Sequence, residues 1–188
     1  GVDYIEGGWP GANPVDTKFF SNPPKMHNTL FTAFGMTKKT GRSADNDPGL
    51  ASLINANTPA VCVVGKSWDF HVKAALGIKE EENLENIRET AKHFLKNKKE
   101  FLFDAEHFFD GYKANPEYAL SCIKEAYDNG ARWIVLCDTN GGTLPNEVRE
   151  IISKIIKHIP GRNLGIHAHN DTENAVANSL IAIECGVR

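Results

Sequence analysis

The sequence lacks the features that would place the protein in a membrane, outside the cell or on nucleic acid. No segment approaches the ~18 consecutive apolar residues of a membrane-spanning helix, and no charged and apolar leader opens the chain. The net charge of −3, from 21 Lys and Arg against 24 Asp and Glu, offers no basic surface for a nucleic-acid backbone. We therefore expect a cytoplasmic protein that has neither a membrane nor nucleic acid as a partner.

Cysteine is scarce too. The four residues of this type, Cys62, Cys122, Cys137 and Cys185, include no C-x-x-C pair. Two of them lie in apolar runs, so we interpret them as reduced, partly buried thiols. What the chain does have is an ordinary globular composition, with 41% hydrophobic residues over 188 residues. That length supports one well-buried core and predicts a single domain.

Short apolar runs recur about every 30 residues, which is the size of a βα unit. Each run leads into polar residues and then into a segment with helical periodicity. Capping residues before proline mark helix starts at Asn13, Asp47 and Asn115, and the pair of Asn170 and Glu173 predicts a capping box. The predicted strands are 2–6, 29–34, 60–64, 101–105, 131–137 and 163–169.

The repeat predicts the fold class. Strands that alternate with helices indicate a parallel sheet. Gly1, Gly130 and Gly186 each precede a Val or Ala at the same point of the repeat. Six units of about 31 residues fill the chain, and eight would reach the ~250 residues typical of a (β/α)₈ TIM barrel. We therefore expect an incomplete barrel holding strands two to seven, in which 1–188 is a partial catalytic domain and the first and last units are missing.

A complete open, doubly wound sheet of six strands is the alternative architecture. Against it, no glycine-rich dinucleotide fingerprint follows the first predicted strand. Polar residues instead end most of the strands, which is the pattern of a barrel whose site gathers at one rim. The barrel is therefore favoured.

The most informative motif is His167-Ala168-His169, at the end of the sixth apolar run. Residues two apart on a strand share one face, so the two imidazoles project side by side. Such a pair can chelate a divalent metal, and it becomes catalytic when a carboxylate joins it. The alternative is an ordinary half-buried strand with two hydrogen-bonded histidines. We predict that His167 and His169 are metal ligands.

Other strand ends carry groups suited to substrate. Asp104 and Glu106 share a face, and Glu106 is the better candidate for proton transfer because a carboxylate inside a barrel mouth needs a partner against desolvation. Thr139 can donate a hydrogen bond to a substrate carboxylate without adding charge. Glu6 closes the first strand, although a structural loop explains its position equally well. We predict catalytic roles for Glu106 and Thr139, and substrate binding by Thr139, Asp104 and Glu6.

Basic residues follow the second and third strands. Lys38 and Lys39 begin a short basic loop, and Lys66 follows the third apolar run. These cations can meet the phosphates of a nucleotide-like cofactor such as coenzyme A, or they can form a solvated loop. We predict that Lys38, Lys39 and Lys66 bind the cofactor.

Three longer stretches resemble a known family of metal-dependent barrels. This family comprises the 2-isopropylmalate, homocitrate and citramalate synthases together with hydroxymethylglutaryl-CoA lyase. The shared stretches are IEGGWPGANP (5–14), DTNGG (138–142) and GIHAHND (165–171). Stretches that look most like the (R)-citramalate synthase branch are FGMTKK (34–39), GKSWDFH (65–71) and DAEHFFDGYK (104–113). The resemblance runs over essentially the whole chain.

The resemblance implies a reaction and a set of cofactors. Acetyl-CoA would condense with a 2-oxo acid, most simply pyruvate, and thioester hydrolysis would release citramalate and coenzyme A on a route to isoleucine. A divalent ion, Mn, Zn, Mg or Co, would lie on His167 and His169 and polarise the keto group. Thr139 would bind the substrate carboxylate, and Glu106 would assist proton transfer or position water. A homodimer is expected for the full-length enzyme.

The chain departs from the family pattern in two respects, and one is that the family's asparagine-containing segment beyond the H-x-H strand has no counterpart here. The family's third protein ligand and catalytic arginine stand in an arginine-aspartate-glycine motif, and nothing in this sequence matches it. We therefore expect the 188-residue piece alone to be inactive. The alternatives left open are a 2-isopropylmalate or homocitrate synthase, cleavage of the hydroxymethylglutaryl-CoA lyase type, and a non-catalytic binding module.

Overall fold

A computed structural model describes residues 1–188 and contains six strands, all parallel. The strands are β1 (Tyr4–Glu6), β2 (Leu30–Met36), β3 (Ala60–Lys66), β4 (Glu100–Glu106), β5 (Trp133–Asp138) and β6 (Leu164–Ala168). All six predicted strands are present, and most end one or two residues later than expected. The apolar runs therefore identified each strand. Most strands are longer than predicted because the residues that follow the apolar run are also part of the strand.

Helices connect successive strands. They are α1 (Pro14–Phe20), α2 (Pro48–Asn55), α3 (Asp69–His71), α4 (Glu80–Lys96), α5 (Phe108–Ala114), α6 (Pro116–Asp128), α7 (Pro145–Ile155) and α8 (Ala175–Glu184). A π-turn, Val72–Leu76, continues α3, and 3₁₀ turns occupy Ala44–Asn46 and Gly161–Asn163. None of the helices is long and apolar enough to cross a membrane.

The strand order decides between the two predicted architectures. Neighbouring strands follow the order β1-β2-β3-β4-β5-β6, so each unit adds one strand to the same edge. A doubly wound sheet reverses its strand order at a switch point, and this sheet has no such reversal. The curled sheet is thus a partial (β/α)₈ barrel of six units, as the repeat predicted.

Two apolar layers lie on opposite faces of the sheet. A cluster of 33 buried residues packs the helices against the outer face. On the inner face, Ala60, Cys62 and Leu102 form a small cluster near the amino-terminal half of the strands. Below it, the Tyr4 hydroxyl donates to Glu100 and accepts a hydrogen bond from Trp133 Nε1 at 3.0 Å. The inner face is therefore filled with side chains at one end and left polar at the other.

Proline after a capping residue sets three helix starts, as predicted. The side chains of Asn13, Asp47 and Asn115 accept hydrogen bonds from backbone N–H groups of the first turns of α1, α2 and α6. At Gly130 and Gly186, φ is +102° and +93°. Such positive φ values favour glycine, and at both positions the chain leaves a helix.

The predicted capping box at Asn170 is wrong. Helix α8 begins at Ala175, and Asn174 is its N-cap residue. Glu173 adopts a left-handed φ of +61°, so its side chain cannot occupy the third position of a helix that starts at Asn170. The Asn170 side chain instead accepts a hydrogen bond from the Ala175 N–H at 3.2 Å. This arrangement lengthens the loop after β6 and leaves His169 outside the helix.

Candidate active site

Parallel pairing brings the polar strand ends together at one rim of the sheet. Lys66 at the end of β3 pairs in register with Glu106 at the end of β4. Cys137 on β5 pairs in register with His167 on β6. Because the carboxyl ends of barrel strands meet at one rim, residues far apart in sequence line a single site.

The two histidines of the H-x-H motif lie side by side, as predicted. Their ring centroids are 5.0 Å apart with an interplanar angle of 33°, and both residues are exposed. The His169 N–H donates to the Asp138 carbonyl at 3.2 Å, which extends the β5–β6 pairing one residue beyond the strand. That bond keeps His169 on the same face as His167.

Electrostatics also suit His167 to metal binding. Although the residue as a whole is exposed, partial desolvation of its ring, followed by the neighbouring His169 imidazole, lowers the pKa of His167 below the ordinary histidine value. The neutral ring with a free lone pair therefore predominates at physiological pH, and this is the form that coordinates metals. The donor set of two imidazoles with carboxylates nearby fits a divalent ion.

Asp104 lies on the inner face beneath the histidines. Its carboxylate accepts a hydrogen bond from Cys62 Sγ at 3.3 Å. Burial raises the pKa of Asp104 to about 6, a net value in which the Cys62 hydrogen bond opposes the rise and the Glu6 carboxylate adds to it. The ligand atoms of Glu6, Cys62 and Asp104 lie within 4.8 Å of one another, and so do those of Asp104, Cys137 and His167. Asp104 thus lies next to His167 of the H-x-H motif, and Glu6 lies next to Asp104.

Glu106 has the cationic partner that its position requires. Lys66 Nζ forms a charge-assisted hydrogen bond with Glu106 Oε2. The backbone around the pair is held as well, because the Ser67 hydroxyl donates to the Glu106 carbonyl at 2.7 Å and Asn83 Nδ2 donates to the Lys66 carbonyl at 2.9 Å. The ion pair is therefore fixed on two strands and their adjoining turns.

Thr139 follows β5 and faces the turn after β4. The His107 N–H donates to Thr139 Oγ1 at 2.9 Å. This bond uses an oxygen lone pair and leaves the hydroxyl hydrogen free to donate to a ligand. His107 adopts a left-handed φ of +53°, so the turn directs its N–H at the threonine.

A second histidine pair stands behind Glu106. The rings of His71 and His107 meet edge to face with centroids 4.4 Å apart, and Trp68 packs against His71. His107 Nδ1 lies 3.2 Å from Asp110 Oδ2, which also accepts a hydrogen bond from Asn140 Nδ2 at 2.9 Å. Residues 71 and 107 come together only through tertiary packing, so the sequence alone does not predict this group.

A cavity of about 810 Å³ opens beside Lys66 and Glu106. It is lined by the basic loop after β2, by the π-turn and by the Trp9 segment. Lys38, Lys39 and Lys66 all line it, as the cofactor prediction requires. Lys38 Nζ, however, is paired with Glu89 at 2.9 Å and donates to the Arg42 carbonyl. Lys39 is exposed, and its N–H donates to Asp47.

Cys62 and Cys137 lie on the inner face of the sheet, close to Asp104, and the sequence did not predict this position for them. All four cysteines are free thiols, and Cys62, Cys122 and Cys137 are buried, as expected. Cys137 stands two residues before Thr139, so alternation places both on the inner face. The two-residue spacing could have predicted that Cys137 faces the site. Because Cys137 lies in an apolar run, it was interpreted only as a buried residue.

Comparison with known proteins identifies the family. A family model described as HMGL-like matches residues 1–188. The chain belongs to the HMGL-like family. Among curated HMGL-like relatives, it is 54% identical to an (R)-citramalate synthase of Aquifex aeolicus and 51% identical to one of Geobacter sulfurreducens, over 100% of the chain in each case. It is 32% identical to a 2-isopropylmalate synthase of Caldanaerobacter subterraneus.

Solved HMGL-like structures share the fold. The chain superposes on the Bacillus subtilis HMG-CoA lyase with a TM-score of 0.83 at 15% identity, covering 98% of this chain and 62% of the lyase. An Acinetobacter baumannii HMG-CoA lyase in complex with coenzyme A and 3-methylmalate gives a TM-score of 0.80 at 21% identity, covering 99% of this chain and 61% of that one. The chain spans 36% of the length of the two citramalate synthases.

Proposed function

We propose that this chain is part of an enzyme that transfers the acetyl group of acetyl-CoA to pyruvate and yields (R)-citramalate for isoleucine synthesis. The observation that carries the proposal is the identity of 54% and 51% to two (R)-citramalate synthases over the entire chain. Identity to the 2-isopropylmalate synthase is only 32% over a similar span. The difference favours the citramalate branch over the other synthases.

His167 and His169 would hold the divalent ion. When bound, such an ion acts as a Lewis acid on the keto oxygen of the 2-oxo acid and orients the substrate. The lowered pKa of His167 supports this role, because no proton has to leave its ring before coordination. The exposure of both rings supports it too, since substrate needs open access to the ion.

Thr139 and Asp104 would orient the 2-oxo acid. The hydroxyl of Thr139 already accepts from the His107 N–H, so its hydrogen is free for the substrate carboxylate. Asp104, whose pKa burial raises to about 6, takes up a proton more readily near neutral pH than an exposed carboxylate does, and its protonated form can donate a hydrogen bond to an anionic substrate. Glu6, at the open edge of the sheet, would complete this end of the substrate pocket.

Glu106 would position water or move a proton during condensation and thioester hydrolysis. Its ion pair with Lys66 fixes its direction. Glu106 lines the 810 Å³ cavity, and it stands two residues after Asp104 on the same face of β4. A group in this place can serve the thioester carbonyl of one substrate and the keto carbon of the other.

The cavity would take the acyl-CoA. Lys39 and Arg42 on its rim form no ion pair, so they are the cations best placed to meet phosphates, whereas Lys38 is compensated by Glu89. Lys66 would then orient Glu106 beside the acyl group of the acyl-CoA, and it would not bind a phosphate. The homodimer and the cytoplasmic location stay predictions drawn from the resemblance.

The test is a substrate panel on the full-length protein that carries this chain. Release of coenzyme A from acetyl-CoA is measured with pyruvate, 2-oxoisovalerate and 2-oxoglutarate, and cleavage of hydroxymethylglutaryl-CoA is measured separately. We expect pyruvate to give at least about tenfold higher kcat/KM than the other acids, which corresponds to ~1.4 kcal/mol of discrimination. Preference for another acid, or cleavage without condensation, would replace this proposal by the synthase or lyase alternative.

A further inference from the structure

Two hydrogen bonds tie the turn after β4 to the turn after β5. The His107 N–H donates to Thr139 Oγ1 at 2.9 Å, and Asn140 Nδ2 donates to Asp110 Oδ2 at 2.9 Å. His107 and Asp110 follow β4, whereas Thr139 and Asn140 follow β5. Each of these strands has a neighbour on both sides in the sheet. The contacts therefore lie inside the sheet and do not depend on either of its edges.

The carboxylate of Asp110 does not cap its own helix. Asp110 is the third residue of α5, where an acidic side chain often accepts a hydrogen bond from the N–H of the N-cap residue. His107 is that N-cap residue, but its N–H donates to Thr139. The Asp110 carboxylate instead accepts from the His107 ring, whose Nδ1 lies 3.2 Å from Oδ2, and from Asn140. Helix capping therefore does not explain why the carboxylate faces the β5 turn.

The ring of His107 is held from several sides. Besides Asp110, the rings of His71 and Trp68 pack against it with centroids 4.4 and 5.7 Å away. Only 12% of the His107 side chain and 20% of the Asp110 side chain are exposed. His107 adopts a φ of +53°, and such a conformation persists in a residue with a side chain only where the surroundings hold it. The contacts of the ring therefore keep the backbone N–H directed at Thr139.

The direction of this N–H determines what the Thr139 hydroxyl can do. A hydroxyl has one hydrogen to donate and rotates to suit its partners. While the His107 N–H occupies one lone pair of Oγ1, the hydrogen points elsewhere and stays available to a ligand. Without that bond, the hydroxyl is free to rotate and its hydrogen can be donated to a competing acceptor. A shift of the His107 turn would thus reach Thr139 directly.

We propose that Asp110 is a positioning residue for Thr139. Through the His107 ring and Asn140, its carboxylate holds the two turns together, so that the His107 N–H sets the Thr139 hydroxyl for the carboxylate of the 2-oxo acid. This inference rests on the proposed function, in which Thr139 binds that carboxylate. Asp110 does not touch the substrate. Its loss should therefore weaken binding of the 2-oxo acid and not of acetyl-CoA, and it should act only while the Thr139 hydroxyl is present.

A double-mutant cycle on the full-length protein with a divalent ion tests this role. Asp110→Ala should lower kcat/KM for pyruvate about tenfold, mainly through a higher KM for pyruvate, and should change the KM for acetyl-CoA less than about twofold. In a Thr139→Val background the same substitution should change kcat/KM less than about twofold, because the hydroxyl that Asp110 positions is gone. A merely structural role would lower kcat through the active fraction, equally in both backgrounds.

Two further variants separate positioning from folding. Asp110→Asn keeps an acceptor oxygen and should retain kcat/KM within about threefold of the unsubstituted protein. Asp69→Ala is the matched control, because Asp69 Oδ2 also accepts a hydrogen bond from an asparagine of another segment, Asn115 Nδ2 at 3.1 Å. Neither Asp69 nor Asn115 hydrogen-bonds to His107 or Thr139. Asp69→Ala should therefore leave the KM for pyruvate unchanged.

Amide exchange provides a readout that does not require turnover. In protein with isotope-labelled histidine, the amide signal of His107 is identified by its shift in Thr139→Val, which removes the acceptor oxygen. Asp110→Ala should speed the exchange of this amide in deuterated water at least about tenfold. Asp69→Ala should leave its exchange rate unchanged.

Unchanged exchange of the His107 amide in Asp110→Ala, or equal losses of kcat/KM with and without the Thr139 hydroxyl, would overturn the inference. If the unsubstituted protein forms no citramalate, the proposed function fails, and the exchange rates still decide whether Asp110 holds the turn. If citramalate forms and the two substitutions act additively, the proposed function stands while this inference fails.

Discussion

Lys66 and Glu106 occupy paired positions on neighbouring strands, and their side chains form an ion pair at the rim of the barrel. Their side chains are only 16% and 25% exposed. Both residues line the cavity beside the basic loop, and Glu106 shares the inner face of β4 with Asp104. It is therefore the point at which the two predicted substrates would meet.

Replacing Lys66 with Met should destabilise the fold, because Glu106 would lose its cationic partner in a partly buried place. Breaking a fully buried pair costs ~3–5 kcal/mol, and residual solvent exposure reduces the expected loss to about 1–3 kcal/mol. The free energy of unfolding from urea titration measures it. Lys73→Met, which breaks an exposed pair with Glu80, should cost below about 1 kcal/mol. Equal losses in both variants would show that the Lys66 pair is not special.

Replacing Thr139 with Val should reduce kcat/KM for the 2-oxo acid about 10- to 100-fold in the full-length protein. The valine keeps the shape but removes both the acceptor of the His107 N–H and the donor offered to substrate. Thr139→Ser restores the hydroxyl and should keep most of the activity. Steady-state kinetics with both variants checks this, and an unchanged kcat/KM in Thr139→Val would remove Thr139 from the site.

Gly111 should not tolerate a side chain. A Cβ at this position would lie 2.5 Å from the Ser67 carbonyl oxygen and 2.9 Å from the Trp68 Cα. Both atoms are backbone, in the turn that follows Lys66, so Gly111→Ala should cost about 1–3 kcal/mol and displace that turn. Gly142→Ala meets nothing within 4 Å and should stay within about 0.5 kcal/mol. The melting temperatures of the two variants measure the difference. Similar values for Gly111→Ala and Gly142→Ala would refute the packing argument.

The Arg88–Glu125 pair should contribute stability only above acidic pH. Arg88 donates to both carboxylate oxygens of Glu125 at 2.8 and 2.9 Å, and these bonds lower the pKa of Glu125. A lowered folded-state pKa gives stability that is present above the unfolded value of ~4.3 and lost as the pH falls through the folded value. Because Arg88 is 42% exposed, we expect a contribution of about 0.5–1 kcal/mol.

Unfolding of Glu125→Gln and of the unsubstituted protein, compared at pH 7 and pH 3, measures this contribution. The difference in unfolding free energy should be present at pH 7 and should shrink at pH 3. Glu150→Gln is the comparison: Glu150 pairs with Lys154 one helical turn away on the exposed surface, so its difference at pH 7 should have the same sign but be smaller. A difference for Glu125→Gln that stays constant with pH would show that packing, and not charge, accounts for it.

Much of the fold followed from local signals. Asn13, Asp47 and Asn115 before prolines mark the starts of three helices, because capping and proline geometry act within a few residues. The spacing of the apolar runs predicted a parallel sheet, and the polar residues at the strand ends favoured the barrel over a doubly wound sheet. Asn170 shows where such signals fail. The Thr172 hydroxyl donates to the Gly141 carbonyl of the neighbouring loop, and that contact between two loops overrides the local capping pattern.

The site was only partly predictable for a similar reason. His167 and His169 could be paired from alternation within one strand. The set of Asp104, Cys62 and Cys137 depends on register between strands that lie 30 or more residues apart, and one sequence does not specify that register. The ion pair between Lys38 and Glu89 likewise depends on how α4 packs against the loop after β2. The sequence alone therefore could not show that the charge of Lys38 is already paired.

The most direct test of the central claim is the stereochemistry and metal dependence of the product. The full-length protein is incubated with acetyl-CoA and isotope-labelled pyruvate, with and without a divalent ion, and the product is resolved by chiral chromatography. We predict (R)-citramalate that requires the ion and that disappears in His167→Ala without loss of folding. Unchanged metal-dependent citramalate formation in His167→Ala, or no citramalate from the unsubstituted protein, would contradict the account.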